Sequence, residues 1–313
     1  MDISPTGVRA VVASRGDVLT VPTKKGSIRN LTNSTGANDH TPAWSPDGAN
    51  IAYLTDQSGE YQLALVDQKG TKKPTYVSLP GNTFYNNLTW SPDSKKILFW
   101  DKKMVLYWMD VSSKKITRVD ADSYSSPRGH LSPQWSPDSE WITYAKILDN
   151  QLRGIFVYNL KNAKKTQLTD GMSEADNPTF SRDGQYLFFT ASTNYALNIS
   201  WLDMTNYERP VRSSIYAIVL SKTGKSPLFL ESDEEKVKSS GGSKGKKTAG
   251  KGGKKKGAKN GKSVKIDFDN ISQRIIALPI PARNYFNLSG LSKGKLFYQQ
   301  NVTGQGTSTT GTK

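Results

Sequence analysis

Short apolar runs return along the chain at a nearly constant spacing, each after an aromatic residue and a polar tetrad. The pattern is clearest in TPAWSPDGANIAY at 41–53. Further copies are NLTWSPDSKKILF at 87–99, SPQWSPDSEWITY at 132–144, NPTFSRDGQYLFF at 177–189 and a worn DISPTGVRAVV starting at residue 2. The serines that align the copies, Ser4, Ser45, Ser91, Ser136 and Ser181, are 41, 46, 45 and 45 residues apart. A constant period of this length predicts a repeat architecture.

The polar tetrad of each copy predicts a tight turn between two strands. In the first clear copy, Ser45 fits the first place of a type I turn, Pro46 presets the second φ angle and Gly48 fits the last place. β-forming residues precede the tetrad and an apolar run such as 50–54 follows it, so both flanks predict strands. Because these runs are apolar on both faces, we expect strands that are covered on two sides.

Each unit continues with a third apolar run and a shorter fourth one. The third runs are YQLALVD at 61–67, MVLYWMD at 104–110 and GIFVYNL at 154–160, and KTQLT at 165–169 is an example of the fourth. Four short strands per unit are what one blade of a β-propeller requires, whereas a β-sandwich would not explain the period. The sequence therefore predicts an all-β fold, a propeller of four-stranded blades with about six blades and the start of a seventh.

Interruptions of the pattern divide the chain. The predicted parts are blades one to five at 1–235, a disordered Lys/Gly/Ser-rich loop at 236–263, the remaining blade strands at 264–300 and a flexible tail at 301–313. In the third part, 264–288 is predicted to be a sixth unit and GKLFYQQ at 294–300 the start of a seventh. Since Met1 stands directly before a worn repeat, we expect the sequence to be cut from a longer protein.

Blade five carries an insertion of about twenty residues, NYALNISWLDMTNYERPVRSS, between its predicted second and third strands. One interpretation is a packed excursion that Trp201 and Tyr207 anchor. The other is a segment that lines the channel or docks on a neighbouring domain, because long insertions in tight repeats tend to map to a working face. The sequence leaves both open.

The loop at 236–263 explains most of the basic charge. It holds eleven lysines and no acidic residue, so it supplies +11 of the net +16 (43 minus 27). Its composition cannot bury a core, and we predict a solvated, disordered loop. A lysine run can contact phosphates, but this one lacks the aromatic and arginine side chains that stack on bases or read them. We therefore do not expect nucleic-acid binding.

Residues with catalytic potential are few. The chain has no cysteine and two histidines, His40 and His130, each a few residues before a repeat tryptophan. Neither has the spacing of a zinc site. The repeated serines and aspartates belong to the predicted turns, and the histidines are expected to make local hydrogen bonds. No set of nucleophile, base and orienting group emerges, so we predict no catalytic, cofactor or metal site.

The WSPDG repeats resemble the TolB-like propellers. Three further stretches, at 15–32, 198–235 and 264–285, resemble the second, seven-bladed propeller of the tricorn family of serine peptidases. The resemblance implies that a PDZ domain and a serine-peptidase domain belong to the same protein. It also implies that the catalytic serine and histidine lie outside the propellers, so none is assigned to this sequence.

What the resemblance implies for function is a non-catalytic propeller that admits oligopeptides to the peptidase, in a full-length protein that forms homo-oligomers. The alternative is a free-standing TolB-like propeller that binds a protein partner. No apolar run approaches the roughly 20 residues of a membrane helix, so no membrane association is expected. We expect a cytoplasmic protein, with a periplasmic or exported location as the alternative if a signal precedes this sequence.

Overall fold

The computed structural model of this chain describes residues 1–122, 131–194, 212–229 and 263–301, together with the backbone of 308–312. These residues form 23 strands, β1 to β23 in chain order, and one short 3-10 helix at Ile271–Arg274. The strands make six antiparallel sheets, of which five have four strands and the sixth has three. Within every sheet, strands that are neighbours along the chain are also neighbours in space, which is the arrangement of a propeller blade.

The strand bounds follow the predicted units. The first sheet contains β1 (Asp2–Ile3), β2 (Arg9–Ser14), β3 (Asp17–Pro22) and β4 (Arg29–Asn30). The second contains β5 (His40–Trp44), β6 (Asn50–Thr55), β7 (Gln62–Asp67) and β8 (Thr75–Ser78). The third contains β9 (Tyr85–Trp90), β10 (Lys96–Asp101), β11 (Val105–Asp110) and β12 (Ile116–Ala121). The fourth contains β13 (Gln134–Trp135), β14 (Trp141–Ile147), β15 (Arg153–Asn159) and β16 (Lys165–Gln167).

The last two sheets hold the rest of the described chain. The fifth contains β17 (Glu174–Phe180), β18 (Tyr186–Ser192), β19 (Ser214–Val219) and β20 (Ile275–Ala277). The sixth contains β21 (Tyr285–Gly290), β22 (Leu296–Asn301) and β23 (Ser308–Thr312).

The sheets pack face to face in chain order. Strand β6 illustrates the packing, because its successive side chains point to opposite neighbours. Ile51 and Tyr53 are buried in a cluster with the first sheet, while Ala52 and Leu54 are buried in a cluster with the third. Three more buried clusters join sheets three to four, four to five and five to six. The prediction of strands covered on both sides, and of a propeller, is confirmed.

The boundary of the fifth blade differs from the prediction. Strand β20 pairs with β19, with Ile218 opposite Ile275, so the fourth strand of the fifth sheet lies beyond the lysine-rich loop and not before residue 235. The loop is therefore an insertion between two strands of one blade. After it, Val264 and Ile266 are buried in the cluster between the fourth and fifth sheets, and the Val264 N–H donates to Asp138 Oδ2 at 2.6 Å.

The sixth blade also begins elsewhere than predicted. Strand β22, predicted as the start of a seventh blade, is the second strand of the sixth sheet and pairs with β21. The tail, predicted to be flexible, contributes β23, which pairs with β22. The turn between β21 and β22 is one residue shorter than in the clear copies, since Gly290 is opposite Leu296 where Trp44 is opposite Ile51. The copy therefore lacks the tetrad that marks the others.

Some predictions fall outside the described residues. These are His130, most of the blade-five insertion including Trp201 and Tyr207, and nearly all of the loop at 236–263. Within the described ranges, no helix is long and apolar enough to cross a membrane.

Candidate functional site

The first strands of the third to sixth sheets contribute to the lining of a central cavity. The first strand of each sheet is an edge strand, hydrogen-bonded to one neighbour in its sheet, and contacts join β1 to β5, β5 to β9, β13 to β17 and β17 to β21. We call β5, β9, β13, β17 and β21 the inner strands. Four sheets contribute to a cavity of about 370 Å³ between them. It is lined by Asn87, Thr89, Trp100, Ser132, Pro133, Gln134, Asn177, Pro178, Phe286, Asn287 and Leu288.

In or directly before each inner strand, one residue has a left-handed backbone conformation, always four positions before the first residue of the turn that follows. These residues are Thr41, Asn87, Ser132, Asn177 and Asn287, with φ angles of 53°, 52°, 44°, 53° and 50°. Such angles are uncommon for residues other than glycine and costly for a β-branched one. In β5, β9, β17 and β21 the strand register shifts at this place, as at a β-bulge. Because five sheets repeat the same conformation, it is a property of the repeat and not of a single blade.

The residue after the left-handed one is proline in three sheets and leucine in two. The prolines are Pro42, Pro133 and Pro178, and the leucines are Leu88 and Leu288. Proline has no N–H, so within sheets it is confined to edge strands and bulges, and here it occupies both. A residue before proline also resists the left-handed conformation, since proline favours an extended predecessor. Packing of the surrounding sheets therefore stabilises a backbone conformation that the local sequence disfavours.

The residues that line the cavity are all uncharged. Most of them belong to the tripeptides NLT, SPQ, NPT and NLS, which begin at the left-handed residues of four sheets, at 87–89, 132–134, 177–179 and 287–289. Asp176 lies next to this lining, and it is paired with a cation. Its Oδ2 is 3.0 Å from Arg153 Nη1, and its Oδ1 accepts from Ser132 Oγ at 3.0 Å. The lining thus offers amide, hydroxyl and apolar groups and no charged side chain.

The repeated serines are turn residues, as predicted. Ser45 Oγ donates to Asp47 Oδ1 at 2.6 Å and accepts from the Asn50 N–H at 2.9 Å, and the Gly48 N–H donates to the Ser45 carbonyl at 2.8 Å. The turns at Ser91, Ser136 and Ser181 repeat these bonds, and all four hydroxyl-bearing residues are fully buried. A buried serine that already makes both bonds is not placed to attack a substrate.

The repeated aspartates serve the same turns. Burial opposes the ionisation of Asp93, but the hydrogen bonds from Lys96 Nζ and Ser91 Oγ outweigh it and hold the pKa of this carboxyl below its usual value. The pKa of Asp183 is lowered in the same way: burial is outweighed by bonds from Ser181 Oγ and from the Lys293 N–H of the next sheet. Both are held as hydrogen-bond acceptors in the ionised form.

His40 makes local contacts. Its Nδ1 is 2.8 Å from Thr41 Oγ1, its ring stacks on Phe84 with centroids 5.3 Å apart, and Tyr61 meets it edge-on at 5.6 Å. Burial lowers the pKa of His40 against smaller opposing effects of Asp56 and Asp39. Phe84 precedes the inner strand of the third sheet, so the contact links two blades. Across the described residues, no group of three or more His, Cys, Asp or Glu side chains is arranged to hold a metal ion.

Sequence reasoning missed the left-handed residues. The signal was present, because four copies carry a polar residue four positions before the turn serine, at Thr41, Asn87, Ser132 and Asn177. In three of them that residue precedes proline within a predicted strand, which is the mark of an edge or a bulge. The sixth copy, which contains Asn287, lacks the turn tetrad, so the repeat pattern does not identify it.

Six antiparallel sheets that pack face to face in chain order define this chain as a β-propeller. Residues 1–313 match the profile of the Tricorn protease second beta propeller domain, and the chain belongs to that family. Tricorn protease homolog 1 of Streptomyces coelicolor is 23% identical over 306 residues, which are 94% of this chain and 27% of that protein. The putative Tricorn-like protease C-terminal subunit of Sulfurisphaera tokodaii is 23% identical over 260 residues, 80% of this chain and 25% of that protein.

The comparison with solved structures agrees with the propeller fold. The crystal structure of the tricorn protease superposes with a TM-score of 0.69 and 14% sequence identity, over 96% of this chain and 27% of that one. At this identity the likeness establishes the fold alone. The chain spans about a quarter of the length of these relatives.

Proposed function

We propose that this chain is the non-catalytic propeller of a tricorn-type serine peptidase, and that its central cavity is part of a channel that guides oligopeptides to a catalytic domain outside the chain. Family membership supports the peptidase context. The observation that carries the channel is the uncharged lining of the cavity, to which four sheets contribute. Such a wall suits the passage of peptides of varied sequence.

The propeller acts in this proposal through its shape. Packing between blades holds a narrow passage open, so an extended peptide enters while a folded domain stays outside. The turn serines and His40 supply no nucleophile and base, which supports the expectation that the chain alone does not hydrolyse peptides. The PDZ and peptidase domains, homo-oligomer assembly and a cytoplasmic location belong to the proposed full-length protein.

Single-cysteine variants test entry directly, because the chain has no cysteine of its own. Gln134→Cys places a thiol on the cavity wall, at an exposed residue. Lys69→Cys places a matched thiol on the exposed hairpin between β7 and β8. Each variant is treated with an activated disulfide carried by a short unstructured peptide or by a small folded protein.

The peptide is expected to label both thiols, whereas the folded protein is expected to label the one at position 69 alone. A thiol at position 134 that the peptide cannot reach, or that the folded protein reaches equally well, contradicts the proposal. Peptide hydrolysis by the pure chain, unchanged on further purification, would contradict its non-catalytic part.

A further inference from the structure

An extended peptide in the cavity meets strand edges, because the inner strands present one unpaired edge toward the axis. Such an edge is a template for a further strand, and strand addition holds peptides through main-chain hydrogen bonds. We propose that the inner edges of this propeller are blocked against strand addition, so that an extended peptide passes without being held by its backbone. This inference rests on the proposed function of the cavity and specifies how the wall treats its substrate.

The left-handed residues are the first block. Strand addition requires a regular edge on which N–H and C=O groups alternate over several residues. Asn87, Asn177 and Asn287 stand at register shifts, where a bulge bends the strand and ends the regular ladder. Bulges of this kind are a means by which natural sheets protect exposed edges. Each inner strand is left with only a short regular stretch on either side of the bulge.

The prolines are the second block. Pro42 and Pro178 stand inside the register shifts of β5 and β17, and Pro133 follows the left-handed Ser132 directly before β13. Proline has no N–H, so these three residues offer a peptide no donor on either edge. The Ser45 N–H donates to the Asn50 carbonyl of the adjacent strand, so the alternation aims the Trp44 N–H at the inner edge.

A third block is present in the second sheet. The Trp44 N–H, which the alternation aims at the inner edge, donates to Asp2 Oδ2 of the first sheet at 2.7 Å. Pro42 has no N–H and the N–H of Trp44 is bound to Asp2, so neither residue offers a donor to a peptide.

The consequence concerns specificity. A wall that neither pairs with the backbone nor carries charge lacks two means of selecting peptides, main-chain pairing and ion pairing. The partner is therefore any extended polypeptide, in contrast to grooves that add a peptide as a strand and read alternate side chains.

The test compares two peptides of one sequence, of which one is N-methylated at every residue of its extended segment and so cannot donate along either edge. Each carries the activated disulfide on the same terminal side chain, and the labelling rate of Gln134→Cys is measured at low peptide concentration. Equal rates are expected. Faster labelling by the unmethylated peptide overturns the inference but leaves the proposed function intact. If neither peptide labels the thiol, it is the proposed function that fails.

Discussion

The indole N–H of Trp135 donates a hydrogen bond of 3.0 Å to the carbonyl oxygen of Thr89, and so ties the fourth sheet to the third beside the cavity. Trp90 makes the equivalent bond to Ala43 at 3.1 Å, between the third sheet and the second. Trp90 and Trp135 thus fix the position of their own blades against the preceding ones.

Trp135→Phe is expected to destabilise the chain by about 1–2 kcal/mol, because it leaves the shared carbonyl with one partner fewer while keeping an aromatic ring. The fifth sheet already has Phe180 at this position, so the fold accepts the change. Urea unfolding measures the effect, with Trp141→Phe as the control, since that half-buried indole packs on Phe268 away from the cavity. Equal losses in the two variants would show that the hydrogen bond contributes nothing.

Ser91→Ala is expected to cost about 2 kcal/mol, because the Lys96 N–H loses its acceptor in a buried turn. Ser58→Ala, at an exposed hydroxyl, is the control and should stay within about 0.5 kcal/mol of wild type. In a protease that carries this propeller, peptide hydrolysis by folded Ser91→Ala protein should be unchanged. Loss of hydrolysis without loss of stability would point to a catalytic serine and against a turn residue.

Stability should fall in acid in a way that depends on Asp110. Hydrogen bonds from Ser112 Oγ and the Ser113 N–H lower the pKa of this carboxyl to about 2. A depressed folded-state pKa contributes stability that is present above the unfolded value of about 3.9 and is lost as the pH falls toward 2. Asp110→Asn should therefore show a shallower decline of unfolding free energy between pH 5 and pH 2 than wild type, as a series of urea titrations measures. Identical slopes would remove Asp110 from the acid response.

Gly290→Ala should weaken the contact between the fifth and sixth sheets. A Cβ at this position would lie 2.4 Å from the Phe180 carbonyl oxygen, so the backbone of one sheet would have to move. Small-to-large changes of this kind typically cost about 1–3 kcal/mol. Ser289→Ala, at the exposed neighbouring residue, is the control. A Gly290→Ala protein as stable as wild type in thermal unfolding would contradict this close approach.

The local features of the fold were predictable and the non-local ones were not. The turns at Ser45 and Ser91, with the strands beside them, follow from short-range patterns that repeat. The pairing of Ile218 with Ile275 joins strands on either side of a long insertion, and local periodicity carries no information about it. The sixth blade was misplaced because its first turn, around Gly290, has lost the tetrad that identified the other copies.

The candidate site was only partly predictable for a related reason. The sequence indicated a propeller with a central passage and excluded a catalytic set, but the left-handed wall residues depend on tertiary constraint. Asn favours this conformation modestly, whereas Thr41 before Pro42 disfavours it. Packing of the neighbouring sheets decides the backbone there, and a single sequence does not display that constraint.

The central claim is that peptides reach the peptidase through this propeller, and blocking the cavity tests it most directly. In the proposed full-length protease, the thiol of Gln134→Cys is coupled to biotin and then capped with streptavidin, and peptide hydrolysis is measured before and after. Hydrolysis is predicted to fall severalfold, while the same cap on Lys69→Cys leaves the rate unchanged. An undiminished rate with position 134 fully capped would contradict the account.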